Sequence, residues 1–308
     1  MKSMYKLLLM STCIVILASC SQQETLLPDE QFISQETPYR LMTPAYYKTM
    51  DDGSIQVRFF ESPRIYDVSK GNTQFAEIKQ LMDDAIAQKQ PLRITESDGV
   101  LPYIILEDAE PASKEEVEQY MTKYDETVDP IATKKALPTL AALNTIFDYC
   151  AAQGCATGTA TIDYCIPFQY VVDGCYARAH KMRQIMLNDY DLSCEKVFSY
   201  EGPGPGSLAV DAGDCCVYWW YHVAPLVSVK APGGGFTKYV VDPSMFDEPV
   251  SIETWTSAQE NFSCTPNANW GYYEITPGKI YTPGGGTDNS YSSTNWTLQA
   301  YANLETCD

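Results

Sequence analysis

In "VDGCYARAHKMRQIM" (Val172–Met186), Cys175 follows a glycine at a position where a helix begins. A thiol in a first helical turn lies among unpaired backbone N–H groups and at the positive end of the helix dipole. Both favour the thiolate, and the same N–H groups can hold an oxyanion. Asp173 is placed to cap this helix. Ala179, Met182 and Met186 share the cysteine's face and dock on the core, while Lys181 and Gln184 lean outward. A cysteine nucleophile needs a base, and the chain has only two histidines. His180 lies on the same helix but on another face, so a structural role is expected for it. His222 sits in "VYWWYHVAPLVSVKAPGGGFTKYVVDPSMF" (Val217–Phe246), where strand-like runs 218–230 and 236–241 flank the turn "APGGG". Pairing folded about residue 233 sets His222 opposite residue 244. Asp242 is then within one bulge of the imidazole, and Pro225 suggests such a bulge. A carboxylate there would fix the imidazole tautomer for attack by the thiolate. Taken without Cys175, a His–Asp contact that only stabilises the sheet is the competing reading.

Whether Cys175 keeps its thiol depends on compartment. The chain opens with Lys2 and Lys6, an apolar run to Ile16 and "LASC" (Leu17–Cys20), the pattern of a bacterial lipoprotein signal peptide over residues 1–20. The run is too short to cross a bilayer. Cleavage before Cys20 would leave that sulfur lipidated, an exported lipoprotein anchored at the cell envelope or surface. In such a compartment cysteines normally pair. Of eleven cysteines, Cys13 and Cys20 belong to the signal, and nine lie between Cys150 and Cys307. Nine is odd, so at least one stays unpaired. Adjacent Cys215 and Cys216 are expected to pair elsewhere. The connectivity stays open.

The elements that must position these residues fall into two regions. Residues 21–135, cysteine-free, read as a small α+β unit. "SIQVRFFES" (Ser54–Ser62), "PLRIT" and "LPYIILE" are strand-like, and Phe75, Ile78, Met82 and Ile86 stripe a helix over Asn72–Gln90. "SKEE" (Ser113–Glu116) is a capping box opening a helix that runs to about Tyr124. "DETVDPIATKKALPTL" (Asp125–Leu140) reads as a linker, and its Lys134–Lys135 pair offers a processing site to a trypsin-like protease. Residues 136–308 hold both histidines and all five tryptophans, with 7 basic against 18 acidic residues. They begin with a helix near Pro138–Ala151, followed by strand-like "IPFQYVV" (Ile166–Val172). The end is loop-rich, and "TPGGGTDNSYSS" (Thr282–Ser293) is its most flexible-looking part. A net charge of −19 argues against nucleic acid as a partner.

The segments "FQYVVDGCYARAHKMRQIMLN", "CEKVFSY", "CCVYWWYHVAPLVSVK" and "VVDPSMF" resemble, in matching order, those of the bacterial protein-glutaminases, secreted enzymes that deamidate protein-bound glutamine. The resemblance is strong from Leu137 to about Phe246 and weak in the tail. It implies an α+β fold of the papain/transglutaminase type, with a Cys-bearing helix packed on an antiparallel sheet. It also implies a catalytic triad of Cys175, His222 and Asp242, no metal or other cofactor, and an inhibitory pro-domain that covers the cleft until a protease releases the catalytic domain. Glu201–Gly213 is an insertion relative to the family and enlarges a loop before Cys215. Rival readings are a transglutaminase or a thiol protease of the same fold, or a catalytically silent lipid-anchored binding module.

Overall fold

Strand-forming runs in the N-terminal half, with the amphipathic stripe between them, produce one mixed sheet with helices on it. In the computed structural model, which describes residues 39–97, 103–122 and 137–307, this half contains β1 (Arg40–Met42), β2 (Pro44–Thr49), β3 (Ile55–Phe59), β4 (Ser62–Val68), α1 (Phe75–Gln88), β5 (Leu92–Ser97), β6 (Ile104–Pro111) and α2 (Lys114–Thr122). The sheet order is β1-β5-β6-β4-β3-β2, antiparallel except for the β4–β6 pair. Ile78 and Met82 of α1, which packs on β2 and β6, are buried in one core cluster with Ile55, Val57 and Phe59. Each such side chain contributes about 1.5–3 kcal/mol by leaving water. Ser113 and Glu116 form the expected reciprocal cap: Ser113 N donates to Glu116 Oε2 at 2.7 Å and Glu116 N to Ser113 Oγ at 3.2 Å. "SIQVRFFES" is not one strand. It turns at Phe60–Glu61, so its end returns as β4.

The C-terminal half contains α3 (Leu140–Ala152), α4 (Cys175–Tyr190), β7 (Glu195–Glu201), β8 (Leu208–Asp211), β9 (Cys216–Trp219), β10 (Tyr221–Lys230), β11 (Phe236–Val240), α5 (Ile252–Ser257), β12 (Trp270–Pro277) and α6 (Ser292–Tyr301). Its four-stranded sheet runs β11-β10-β7-β12, all antiparallel. α4 packs on β10, with α3 and α6 against α4. This is the α+β arrangement expected, a Cys-bearing helix on an antiparallel sheet. Three local expectations are corrected. The run 218–230 breaks at Trp220, so β9 pairs with β8 while β10 joins the main sheet. "IPFQYVV" forms turns and a single bridge at Ile166. Thr282–Ser293 is tied down: Asp288 Oδ2 accepts from Thr294 N at 2.7 Å and from Thr294 Oγ1 at 2.6 Å.

Three disulfides, Cys155–Cys165, Cys215–Cys307 and Cys216–Cys264, staple this half, and Cys215 and Cys216 do pair with different partners. The signal segment, Cys20, Lys134–Lys135 and the 135/136 boundary lie outside the described residues.

Candidate active site

Gly174 sets the entry to α4. Its φ is +78°, a left-handed conformation that L side chains disfavour, and a Cβ there would lie 2.9 Å from Cδ2 of Tyr301. Cys175 is therefore the first residue of α4, and it carries no disulfide. Asp173 does not cap the helix as expected. Its Oδ1 accepts from the adjacent Gly174 N at 2.6 Å and its Oδ2 from Ser62 Oγ at 3.0 Å. Behind the cysteine, buried Arg178 donates through Nη1 to the carbonyls of Tyr170 and Asp173, each at 2.7 Å. Lys181 is also a correction. It does not lean outward but is buried at 7% exposure, its Nζ over the Tyr164 ring.

On the sheet, β10 pairs with β11 from Leu226↔Val240 to Lys230↔Phe236 without a register shift. Pro225 marks no bulge. The pairing is centred on residue 233 as the sequence indicates. Asp242 reaches His222 because the chain leaves the ladder after Val240 and turns there, with Met245 N donating to Asp242 O at 3.1 Å. His222 Nε2 and Asp242 Oδ2 are 2.8 Å apart, both residues almost fully buried. Trp255 Nε1 donates to the same oxygen at 2.9 Å, and Ser244 donates to Oδ1 through its hydroxyl and backbone N–H. Burial alone would raise this carboxyl, but the neighbouring His222 and the bonds from His222, Ser244 and Trp255 outweigh it and hold it at about 2. The imidazole stacks on Trp219 at 4.5 Å and on Trp255 at 5.4 Å between centroids.

The backbone of Val223, the residue after His222 on β10, lies near enough to the Cys175 sulfur to favour its anion. His222 Nδ1 is buried and has no hydrogen-bond partner, so thiol and imidazole are not hydrogen-bonded in this state. Nor is the thiol acidified. Burial pushes it up to about 12, against the lowering effect of Arg178. Helix-start placement favours the anion, but desolvation is the stronger effect here.

The N-terminal half packs against the core cluster that contains Cys175, Ile65 within it and Phe60 against it. The tip of the β3–β4 hairpin is held by Trp220 Nε1, which donates to Ser62 O at 2.7 Å and Phe59 O at 3.2 Å, and by Tyr221 OH, which donates to Phe60 O at 3.3 Å. Beside it, Glu201 of β7 takes Arg58 Nε at 2.8 Å, Lys48 Nζ at 2.9 Å and Tyr46 OH at 2.6 Å. Arg58 and Glu201 side chains have no exposed surface.

A family model described as Glutaminase matches residues 143–259, a span that holds Cys175, His222 and Asp242. The crystal structure of a pro-protein-glutaminase is 31% identical, covers 88% of this chain and 96% of its own, and superposes with a TM-score of 0.75. The chain belongs to the protein-glutaminase family. The NMR structure of protein-glutaminase from Chryseobacterium proteolyticum is 42% identical over 56% of this chain and 91% of its own, with a TM-score of 0.50. No curated protein sequence matches. In this protein-glutaminase family member, the sequence reading missed Arg178, Trp219, Ser244 and Trp255 around the triad candidates. The one available signal was the confinement of all five tryptophans to the C-terminal half. His180 is structural, as expected: its Nδ1 contacts Lys196 Nζ at 2.9 Å and its Nε2 the Asp288 carbonyl at 3.1 Å.

Proposed function

We propose that this chain is the proenzyme of a hydrolase that converts protein-bound glutamine to glutamate and ammonia through a thioester on Cys175. The observation that supports the reading is the His222–Asp242 pair, at 2.8 Å, whose histidine lies on β10, the strand against which α4 packs with an unbridged Cys175 at its start. With Nε2–H given to Asp242, Nδ1 is the nitrogen that takes the thiol proton. The Cys175 sulfur attacks the carboxamide carbon, and backbone N–H groups at the start of α4 hold the oxyanion. His222 returns the proton to the departing nitrogen, ammonia leaves, and a thioester remains. His222 then takes a proton from water, hydroxide adds to the thioester, and the thiol leaves with the glutamate free. These steps need only the chain's own groups and water.

The β3–β4 hairpin tip, docked on Trp220 and Tyr221, supports a latent form in which the thiol is covered. In this reading residues 1–20 are removed as a signal peptide, Cys20 is lipidated and tethers the chain at the cell envelope, and residues 21–135 are the inhibitory segment. A protease cutting at Lys134–Lys135 then frees residues 136–308 from the lipid. Substrates are proteins or peptides with accessible glutamine.

Mass spectrometry of a casein-like protein incubated with the processed chain tests the reaction. A +1 Da shift at glutamine is expected, lost in Cys175→Ala. Crosslinks would indicate a transglutaminase, backbone cleavage a thiol protease, and no change a binding module. An undiminished shift with Cys175→Ala would refute the assignment of the nucleophile.

A further inference from the structure

A concavity lies on the C-terminal half. It has a volume of about 460 Å³, and all its lining residues fall between 168 and 306, so the N-terminal half contributes none of its walls. Val210, Trp219, Phe168 and Met245 are among its apolar lining residues, and of the polar ones, Gln169, Asp211, Ser244, Asn261 and Thr306, only Asp211 is charged. Val210 and Asp211 belong to β8, whose hairpin includes part of the Glu201–Gly213 insertion. The lining also includes Thr306 of the C-terminal tail, which is held by the Cys215–Cys307 disulfide and by Thr306 Oγ1 donating to Gln169 O at 2.6 Å. The cavity borders the candidate catalytic residues, since Trp219 is the ring stacked on His222 and Ser244, also in the lining, bonds Asp242.

Its charge is one-sided. No lysine, arginine or histidine lines it. Gln169 Nε2 is fixed on the Ala302 carbonyl at 3.0 Å, which leaves Oε1 as an acceptor shielded from solvent with no donor. Asp211 adds an exposed carboxylate whose Oδ1 accepts only the local Gly213 N–H. Apolar side chains beside one exposed carboxylate, with no cation in the lining, suit an aliphatic stem with a cationic donor at its tip. We propose that this cavity is a subsite for a lysine or arginine side chain of the polypeptide substrate, near the glutamine that reacts. The inference rests on the proposed deamidation only for its purpose; the binding it requires does not depend on turnover.

Because the pro-segment contributes none of the lining, the full-length chain serves for the test. It is titrated calorimetrically with a glutamine peptide carrying lysine nearby, and with versions carrying alanine or glutamate instead. The lysine peptide should bind about fivefold or more tightly than the alanine one, the scale of a favourable solvent-accessible ion pair. Asp211→Asn keeps an acceptor for Gly213 N–H while removing the charge, and should abolish that preference. Asp211→Lys should invert it toward glutamate. Equal binding of all three peptides, or a lysine preference unchanged in both variants, overturns the subsite. Ammonia release from a small glutamine substrate by the processed chain reads the reaction separately. Loss of that activity sinks the deamidase reading and leaves the binding result standing.

Discussion

Arg58→Met should unlatch the pro-segment without harming the site it covers. Arg58 donates to Glu201 through Nε at 2.8 Å and Nη2 at 3.2 Å, with both side chains fully buried. Removing one partner of a buried pair costs about 3–5 kcal/mol. Lys48 and Tyr46 still contact Glu201 in the variant, which places the loss at the lower end, about 3 kcal/mol. At 1.36 kcal/mol per factor of ten, the docked state loses about 10²-fold in its equilibrium. The assay is the rate at which iodoacetamide labels Cys175 in the uncut chain, followed by peptide mapping. Labelling should rise by about the same 10²-fold, with basal ammonia release rising in parallel. Cys150 provides an internal control, because it is a buried thiol of the C-terminal core. Burial pushes it up to about 12, and it should stay unlabelled. Wild-type labelling of Cys175 in Arg58→Met would refute the idea that this ion pair holds the cover. Equal labelling of Cys150 would show global unfolding and refute it equally.

Latency should also depend on pH. Burial raises the Glu61 carboxyl, at the hairpin tip, from its ordinary 4.5 to about 7. A carboxyl raised on docking favours the docked state fully below about pH 4.5 and loses that contribution as pH rises through 7. Cys175 labelling in the uncut chain should therefore climb more steeply over this window than in Glu61→Gln, and identical profiles would remove Glu61 from the switch. Asp242→Asn keeps the side chain's shape but not the tautomer it imposes. The processed enzyme's kcat should fall by about 10²–10⁴-fold with little change in fold by circular dichroism, and an unchanged kcat would leave Asp242 without a catalytic part. Gly174→Ala should cost about 1–2 kcal/mol for its left-handed backbone alone, before the contact with Tyr301. That lowers Tm by several degrees, roughly 2–4 °C per kcal/mol, and an unshifted Tm would refute the conformational argument.

Much of the site was legible because it rests on local rules. The hairpin centre at 233 follows from two strand-like runs and a glycine turn and brings Asp242 within two residues of the position opposite His222, but the turn after Val240, not a bulge at Pro225, closes that gap. The α1 stripe and the Ser113–Glu116 cap are likewise periodicity and side-chain chemistry acting within one element. What was hidden depends on contacts distant in sequence. Lys181 looks like a solvated position on a helix, yet the ring of Tyr164 covers it. Trp255 gives no sign that its indole donates to Asp242 at 2.9 Å. The run Ser54–Ser62 reads as one strand ended by Pro63, because "FFES" carries no glycine or proline to mark the turn at Phe60–Glu61. The acidity of Cys175 was misjudged, since the helix dipole is visible in sequence and the cover that desolvates the sulfur is not.

The central assertion is that the Cys175 sulfur becomes acylated during turnover. Acid-quenching the processed enzyme within a few turnovers of a glutamine-containing peptide, then mapping its peptides by mass spectrometry, measures this directly. The expected result is a thioester adduct confined to the peptide that contains Cys175, absent from the Cys175→Ala protein and removed by hydroxylamine. Continued release of ammonia with the adduct on another residue, or with Cys175 replaced, would contradict it.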